Sequence, residues 1–268
     1  MNLELLTLEV AAIARKAAAF ILEERQHFSS GNVEVKGRND FVSYVDKGSE
    51  RIIVTALKTL LPEAMFIAEE GTEVASDADY RWVIDPLDGT TNFIHGMPFF
   101  AVSIALLHQD EPIIGVVYEM NRDEMFTAYK GGGALLNGAA IHVSDTANVA
   151  SSLVGTGFPY YDYHLLDEYL ALFKHLMQFS RGLRRPGSAA TDLAYVACGR
   201  FDAFYEYSLS PWDVAAGVLL VTEAGGSVTD FNGGNTAIFG KTIVATNARV
   251  QNEMLQLVRQ FGLANPEV

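Results

Sequence analysis

Cysteine is nearly absent from the 268 residues; Cys198 is the only one. A single thiol excludes an intrachain disulfide and a cysteine-ligated metal centre. Within the apolar run Leu193-Ala194-Tyr195-Val196-Ala197, Cys198 reads as a small core residue. Basic charge is also scarce: 19 Lys and Arg stand against 33 Asp and Glu, a formal net charge of −14. Such a chain is a poor partner for a nucleic-acid backbone or an anionic membrane. No apolar run reaches the length of a membrane span. The acidic amino-terminal segment lacks the basic start of a secretion signal, so the cytoplasm is the expected compartment. Neither an internal repeat nor a low-complexity tract occurs, and Gly155-Thr156-Gly157 is not followed by a dinucleotide fingerprint. What the chain has is apolar residues, 49% of the total, enough for one large domain or two fused layers.

The most informative stretch is Trp82-Val83-Ile84-Asp85-Pro86-Leu87-Asp88-Gly89-Thr90-Thr91-Asn92-Phe93. Its apolar, β-branched start predicts a buried strand that stops at Asp85-Pro86, since proline cannot donate to a ladder. Asp88-Gly89-Thr90 then reads as a turn into a short helix. Asp-Pro and Asp-Gly are also common turn pairs, so a purely structural role stays open here. Two carboxylates on a rigid turn suit a hard divalent cation such as Mg²⁺, with the Leu87 carbonyl as a further oxygen. The amides of Gly89 and Thr90, at a helix start, suit a phosphate. Acids beside a phosphate cradle point to phosphoryl transfer to water. Two residues separate the aspartates rather than one, which counts against an Asp-x-Asp nucleophile motif and a covalent aspartyl-phosphate.

Along the chain, Leu5 to Phe28 carries apolar residues at helical spacing. Two short strands, Val33 to Lys36 and Phe41 to Val45, flank a polar turn. Asp46 reads as the cap of a helix over Lys47 to Leu61. Met65-Phe66-Ile67-Ala68 predicts a second buried strand that exits into acids, Glu69 and Glu70. Residues 72–80 read as a loop. Phe100 to Leu107, Ile113 to Tyr118 and Glu124 to Tyr129 predict an antiparallel meander. His95 and His108 read as structural histidines rather than metal ligands. From about Ala147 strands and helices alternate, so an α+β half (1–146) and an α/β half (147–268) are expected to form one catalytic unit. Arg181 to Arg185 is the one basic spot, read as an exposed rim before a contact for a phosphate or a partner subunit. Gly187-Ser188-Ala189-Ala190 opens a helix whose free amides suit a polar substrate group. Glu206, on a strand from Phe201 to Tyr207, reads equally as an exposed acid or a substrate ligand. Pro211-Trp212-Asp213 opens a helix, where Asp213 either favours the positive helix end or completes a metal site.

Trp82 to Phe93 closely resembles the first signature of the inositol monophosphatase family. Trp212-Asp213-Val214-Ala215-Ala216-Gly217, followed by Glu223-Ala224-Gly225-Gly226, resembles its second. The resemblance covers nearly the whole chain. It implies a layered αβαβα sandwich and Mg²⁺-dependent hydrolysis of a phosphate monoester, inositol phosphate before all. Relatives acting on 3′-phosphoadenosine 5′-phosphate, histidinol phosphate or fructose bisphosphate are the alternatives, as is a member that mainly binds the transcription machinery. By the same resemblance Glu69, Asp85 and the Leu87 carbonyl hold one ion, and Asp85, Asp88 and Asp213 a second. A third, weaker ion lies near Glu69, giving two to three in all, with inhibition by Li⁺. Glu70 and the pair Thr90 and Asp46 position and activate water. Gly89, Thr90, Ala189, Glu206, Asp213 and Lys36 meet the substrate, with Asp40 on the same loop as Lys36. The family pattern also implies a homodimer, a small phosphorylated polyol or sugar as ligand, and no membrane or nucleic-acid partner.

Overall fold

The computed structural model describes residues 1–28, 33–37, 40–71 and 78–264, with the side chains of 33–37 and 40–43 left aside. Two mixed sheets and their helices stack in five layers. The first layer is a pair of helices, α1 (Leu3–Arg25) and α2 (Tyr44–Leu60), preceded in α2's case by a hairpin of β1 (Val33–Gly37) and β2 (Asp40–Ser43). Alanines at 14, 17 and 18 let α1 lie close against its neighbours, and Val10, Ile21, Ile53 and Leu57 fill the space below it.

Beneath these helices lies a seven-stranded sheet. Its strands are β3 (Met65–Ala68), β4 (Tyr80–Asp88), β5 (Ala101–His108), β6 (Glu111–Glu119), β7 (Glu124–Tyr129), β8 (Ala134–Leu136) and β9 (Ala139–Ile141), in that spatial order. Only β3 and β4 run parallel; the rest is the expected meander. Both faces of β5 and β6 are buried, which explains their unbroken apolar runs.

The middle layer is α5 (Ala189–Ala197) and α6 (Pro211–Glu223), almost wholly apolar and packed between the two sheets. Gly115 of β6 admits α6 at van der Waals contact: a Cβ there would stand 2.7 Å from the Ala216 carbonyl oxygen. Glu223 of α6 reaches the Gly131 and Gly133 amides at 2.8 and 2.9 Å, fixing the helix's far end to the β7–β8 turn.

The second sheet is ordered β11 (Gly182–Arg184), β10 (Leu153–Thr156), β12 (Ala203–Tyr207), β14 (Thr242–Thr246), β13 (Ser227–Thr229). Its outer face carries α4 (Leu166–Phe179) and α7 (Gln251–Gln260) over a core that includes Tyr169, Tyr205 and Met254. The short helix α3 (Thr90–Ile94) follows β4 directly.

Two boundaries differ from the sequence reading. Helix α2 begins at Tyr44, so Val45 is helical and Asp46 lies in the first turn rather than at the cap. Val45 is fully buried, and Ser49, one turn on, bonds the Pro86 carbonyl at 2.9 Å; these contacts favour helix over the apparent alternation. Strand β4 does not stop at Asp85. It runs to Asp88 with its register against β5 shifted between the two aspartates, an irregularity that accommodates Pro86 without a ladder donor. Of the expected loop, residues 72–77 lie outside the described residues. Among the described residues, no helix is long and apolar enough to cross a membrane.

Candidate active site

The shift between Asp85 and Asp88 sets the site. Two acids on one strand end are turned to a common side, and the intervening Leu87 amide closes back on Asp85 Oδ1 at 2.9 Å. Glu69 enters from the neighbouring parallel strand end, its amide bonded to the Ile84 carbonyl at 3.3 Å. Asp213 arrives on the first turn of α6, where its Oδ2 accepts the Ser210 amide at 2.6 Å in a reciprocal capping box. Carboxylate oxygens of Asp85, Asp88 and Asp213 all lie within 4.8 Å of one another. Asp85 is 2% exposed and Asp88 8%.

So dense a group of buried acids resists ionisation. Burial, then Glu69, Asp88 and Asp213, push the Asp85 carboxyl well above the ordinary range. Burial pushes Asp88 up to about 6, against the Ser188 hydroxyl and the Ala190 amide, which favour its charge. Burial and then Asp88 push Asp213 up to about 7. The cleft they line, of about 260 Å³, is walled by six carboxylates (Glu69, Asp85, Asp88, Asp192, Glu206 and Asp213) and one guanidinium, Arg185. A phosphate ester would be repelled there unless cations reversed the field. Three oxygen donors at this spacing, with Glu69 and the Leu87 carbonyl beside them, fit a hard divalent ion.

Thr90 Oγ1 is held between Asp46 Oδ1 at 2.9 Å and the Leu87 carbonyl at 3.0 Å. Asp46 is fully buried. Gly89 caps α3 with φ +97, a conformation costly for other residues. A Cβ there would also stand 3.0 Å from the Phe99 carbonyl oxygen. Asn92 ties this turn to the loop before α5, donating to the Phe99 and Pro186 carbonyls at 2.7 and 2.9 Å.

The expected residues are mostly brought together. Glu69, Asp85, Leu87, Asp88, Gly89, Thr90, Ala189, Glu206 and Asp213 line one cleft, and Asp46 backs Thr90. Glu70 is not among the lining residues; its amide donates to Glu50 Oε2 at 2.8 Å. The side chains of Lys36 and Asp40 lie outside the described residues. Two expectations need correction. The leading amides of α5 are not free, because Ala190 donates to Asp88 Oδ2 at 2.7 Å and Thr191 to the capping Ser188. Of the two readings of Glu206, the exposed acid does not hold: it is 6% exposed and lines the cleft. Arg185 does not belong to an exposed rim. It turns into the cleft, bonds the Tyr160 hydroxyl at 2.9 Å and lies over the Phe158 and Tyr160 rings. Asp192 was not anticipated at all; as the only charged residue within an apolar helix, it carried a readable signal.

Comparison with known proteins agrees with the fold. The profile of the inositol monophosphatase family matches residues 2–262. The Nus factor SuhB of Pseudomonas aeruginosa is 45% identical over 251 residues, covering 92% of this chain and 93% of that protein. The Nus factor SuhB of Escherichia coli K12 is 44% identical over 247 residues, 92% of each. Among solved structures, the extragenic suppressor protein suhB of Bartonella henselae superposes with TM-score 0.88 at 40% identity, covering 94% of this chain and 97% of that one. An inositol monophosphatase from Anabaena gives 0.85 at 37%, covering 97% of both. The chain belongs to the inositol monophosphatase family.

Proposed function

We propose that the chain is a Mg²⁺-dependent phosphate monoester hydrolase whose preferred substrate is an inositol phosphate. The observation that carries this reading is the convergence of Asp85, Asp88 and Asp213 from two distant segments within 4.8 Å. Glu69, Asp85 and the Leu87 carbonyl would hold one ion, and Asp85, Asp88 and Asp213 another, with Asp85 shared. Bound there, divalent ions neutralise phosphoryl charge and ease deprotonation of water.

The chain's own residues supply the remainder. The amides of Gly89 and Thr90 orient the phosphate. The Thr90 hydroxyl, donating to Asp46, presents its lone pairs to the attacking water and relays a proton towards Asp46 Oδ1. Asp88 is kept in place by Ser188 and Ala190 of α5, so metal and substrate walls share one support. Glu206, Ala189 and Asp213 face the alcohol half of the substrate, and Glu70 helps to position the attacking water. No side chain need form a covalent intermediate, since phosphoryl transfer relies on positioning and charge stabilisation. Inhibition by Li⁺, a homodimer and a cytoplasmic setting belong to the same reading.

The test is phosphate release from inositol 1-phosphate, 3′-phosphoadenosine 5′-phosphate, histidinol phosphate and fructose 1,6-bisphosphate, with Mg²⁺ and with a chelator. The highest kcat/KM on inositol 1-phosphate, abolished by the chelator, is expected; no Mg²⁺-dependent release from any of the four would refute the reading.

The names of the curated relatives favour a second role, as a factor that also binds the transcription machinery. The net charge of −14 makes protein, rather than nucleic-acid phosphate, the expected point of contact. Recovery of RNA polymerase with the tagged chain at native levels tests it.

A further inference from the structure

Asp192 has no place in the metal set, yet it is 1% exposed and its Oδ1 has no hydrogen-bond partner. Leaving a buried carboxylate oxygen unpaired is costly, so a position that keeps one is under some demand other than stability. Asp192 lines the cleft together with Glu206 and Arg185. Arg185 has an orphan of the opposite kind, a buried Nε without an acceptor. Among the described residues, no ion pair joins the guanidinium to either acid. An acceptor and a donor, both buried and unpaired, thus share one wall.

Their distance from the reacting end is set by α5. Ser188, its cap, bonds Asp88 Oδ2 at 2.7 Å, and Asp192 follows four residues later. Positions i and i+4 share a helix face with Cβ atoms about 6 Å apart. One helical turn therefore separates the grip on Asp88 from the Asp192 carboxylate. That span suits a substrate carrying its phosphate on one carbon and a hydroxyl on a neighbouring one.

We propose that Asp192 is a specificity-determining residue that accepts a hydrogen bond at Oδ1 from a hydroxyl of the substrate's alcohol half, with Arg185 Nε as donor on the same wall. This rests on the phosphatase reading above and names the feature the cleft selects: a polyol, against a phosphate ester without hydroxyls. A site built to pair with a hydroxyl discriminates because its own polar atoms stay unpaired with any analogue lacking one.

The experiment compares inositol 1-phosphate with phenyl phosphate in the full-length protein with Mg²⁺, for the parent, Asp192→Ala and Asp192→Asn. Loss of one hydrogen bond corresponds to up to about tenfold in affinity. The ratio of the KM for inositol 1-phosphate to that for phenyl phosphate should rise about tenfold in Asp192→Ala. A smaller rise is expected in Asp192→Asn, which keeps an acceptor oxygen, with kcat on inositol 1-phosphate changed less than KM. Both variants should melt no lower than the parent, because no protein hydrogen bond is lost. An unchanged KM ratio, or a fall in melting temperature that accounts for the loss, overturns the assignment. A parent that hydrolyses neither ester overturns the phosphatase reading instead, so the two failures are told apart.

Discussion

Ser188 Oγ donates to Asp88 Oδ2 at 2.7 Å, joining the cap of α5 to a carboxylate one hundred residues earlier. The same hydroxyl lies 3.3 Å from the Thr191 amide, so one side chain both starts a helix and aims a carboxylate of the acidic cluster. Ser188→Ala is expected to lower stability by about 1–2 kcal/mol, the usual cost of a lost cap. It should also weaken Mg²⁺ binding, since Asp88 loses a bond that favours its charged form. Calorimetric melts and Mg²⁺ titration measure the two effects separately.

Asp85 is the acid most deeply placed among like charges. Asp85→Asn should abolish turnover while leaving the fold, because an amide oxygen can still accept the Leu87 N–H. Without metal the variant should melt at or above the parent, having lost a buried acid that burial and three neighbouring carboxyls disfavour in its charged form. Parent-like turnover in this variant would remove Asp85 from the centre of the site.

Acid titration gives a prediction with a definite sign. Asp88 and Asp213 have folded-state values of about 6 and about 7, above the ordinary 3.8. A raised carboxyl favours folding while it is protonated, so its contribution is full below about 3.8 and is lost as pH rises through about 6 to 7. The metal-free protein should therefore melt lower at pH 8 than at pH 5.5. Divalent ions need the ionised forms, so the rise in melting temperature with Mg²⁺ should be larger at pH 8. Differential scanning calorimetry at the two pH values, with and without Mg²⁺, checks both signs.

Thr90 should act through its hydroxyl. Thr90→Val is expected to cut kcat by about 10²–10⁴-fold, the range of a lost proton-transfer group. Thr90→Ser should retain most activity, as it keeps the bond to Asp46. Equal losses in the two variants would indicate a packing role.

Gly157 gives a specific steric test of Glu206. A Cβ at Gly157 would fall 2.0 Å from Glu206 Oε1, so Gly157→Ala must displace that carboxylate. The expected result is a raised KM for inositol 1-phosphate with Mg²⁺ affinity little changed, read by steady-state kinetics and titration.

Much of this was legible in the sequence because the informative signals are local. The strand before Asp85, the turn at Gly89 and the helix opened by Pro211 follow from apolar runs, a proline and a glycine whose conformational preferences act over a few residues. The meander followed from closely spaced apolar segments separated by turn residues. What the residues alone did not show was direction and depth. Nothing in Arg181 to Arg185 tells which arginine turns inward; Arg185 does so because Phe158 and Tyr160, distant in sequence, offer it ring faces. Glu206 and Asp192 are buried by layers that close over them from other parts of the chain. The α5 amides, legible as free donors, are taken by Asp88, a partner about a hundred residues away.

Cations held by Asp85, Asp88 and Asp213, with Glu69 beside them, are the centre of the proposed chemistry. The most direct measurement is anomalous diffraction from a crystal grown with Mn²⁺ in place of Mg²⁺. The predicted result is a strong peak within coordinating distance of the Asp85, Asp88 and Asp213 carboxylates, with a second near Glu69 and the Leu87 carbonyl. A map with no peak among these acids at saturating Mn²⁺, in a protein that still hydrolyses phosphate esters, would contradict it.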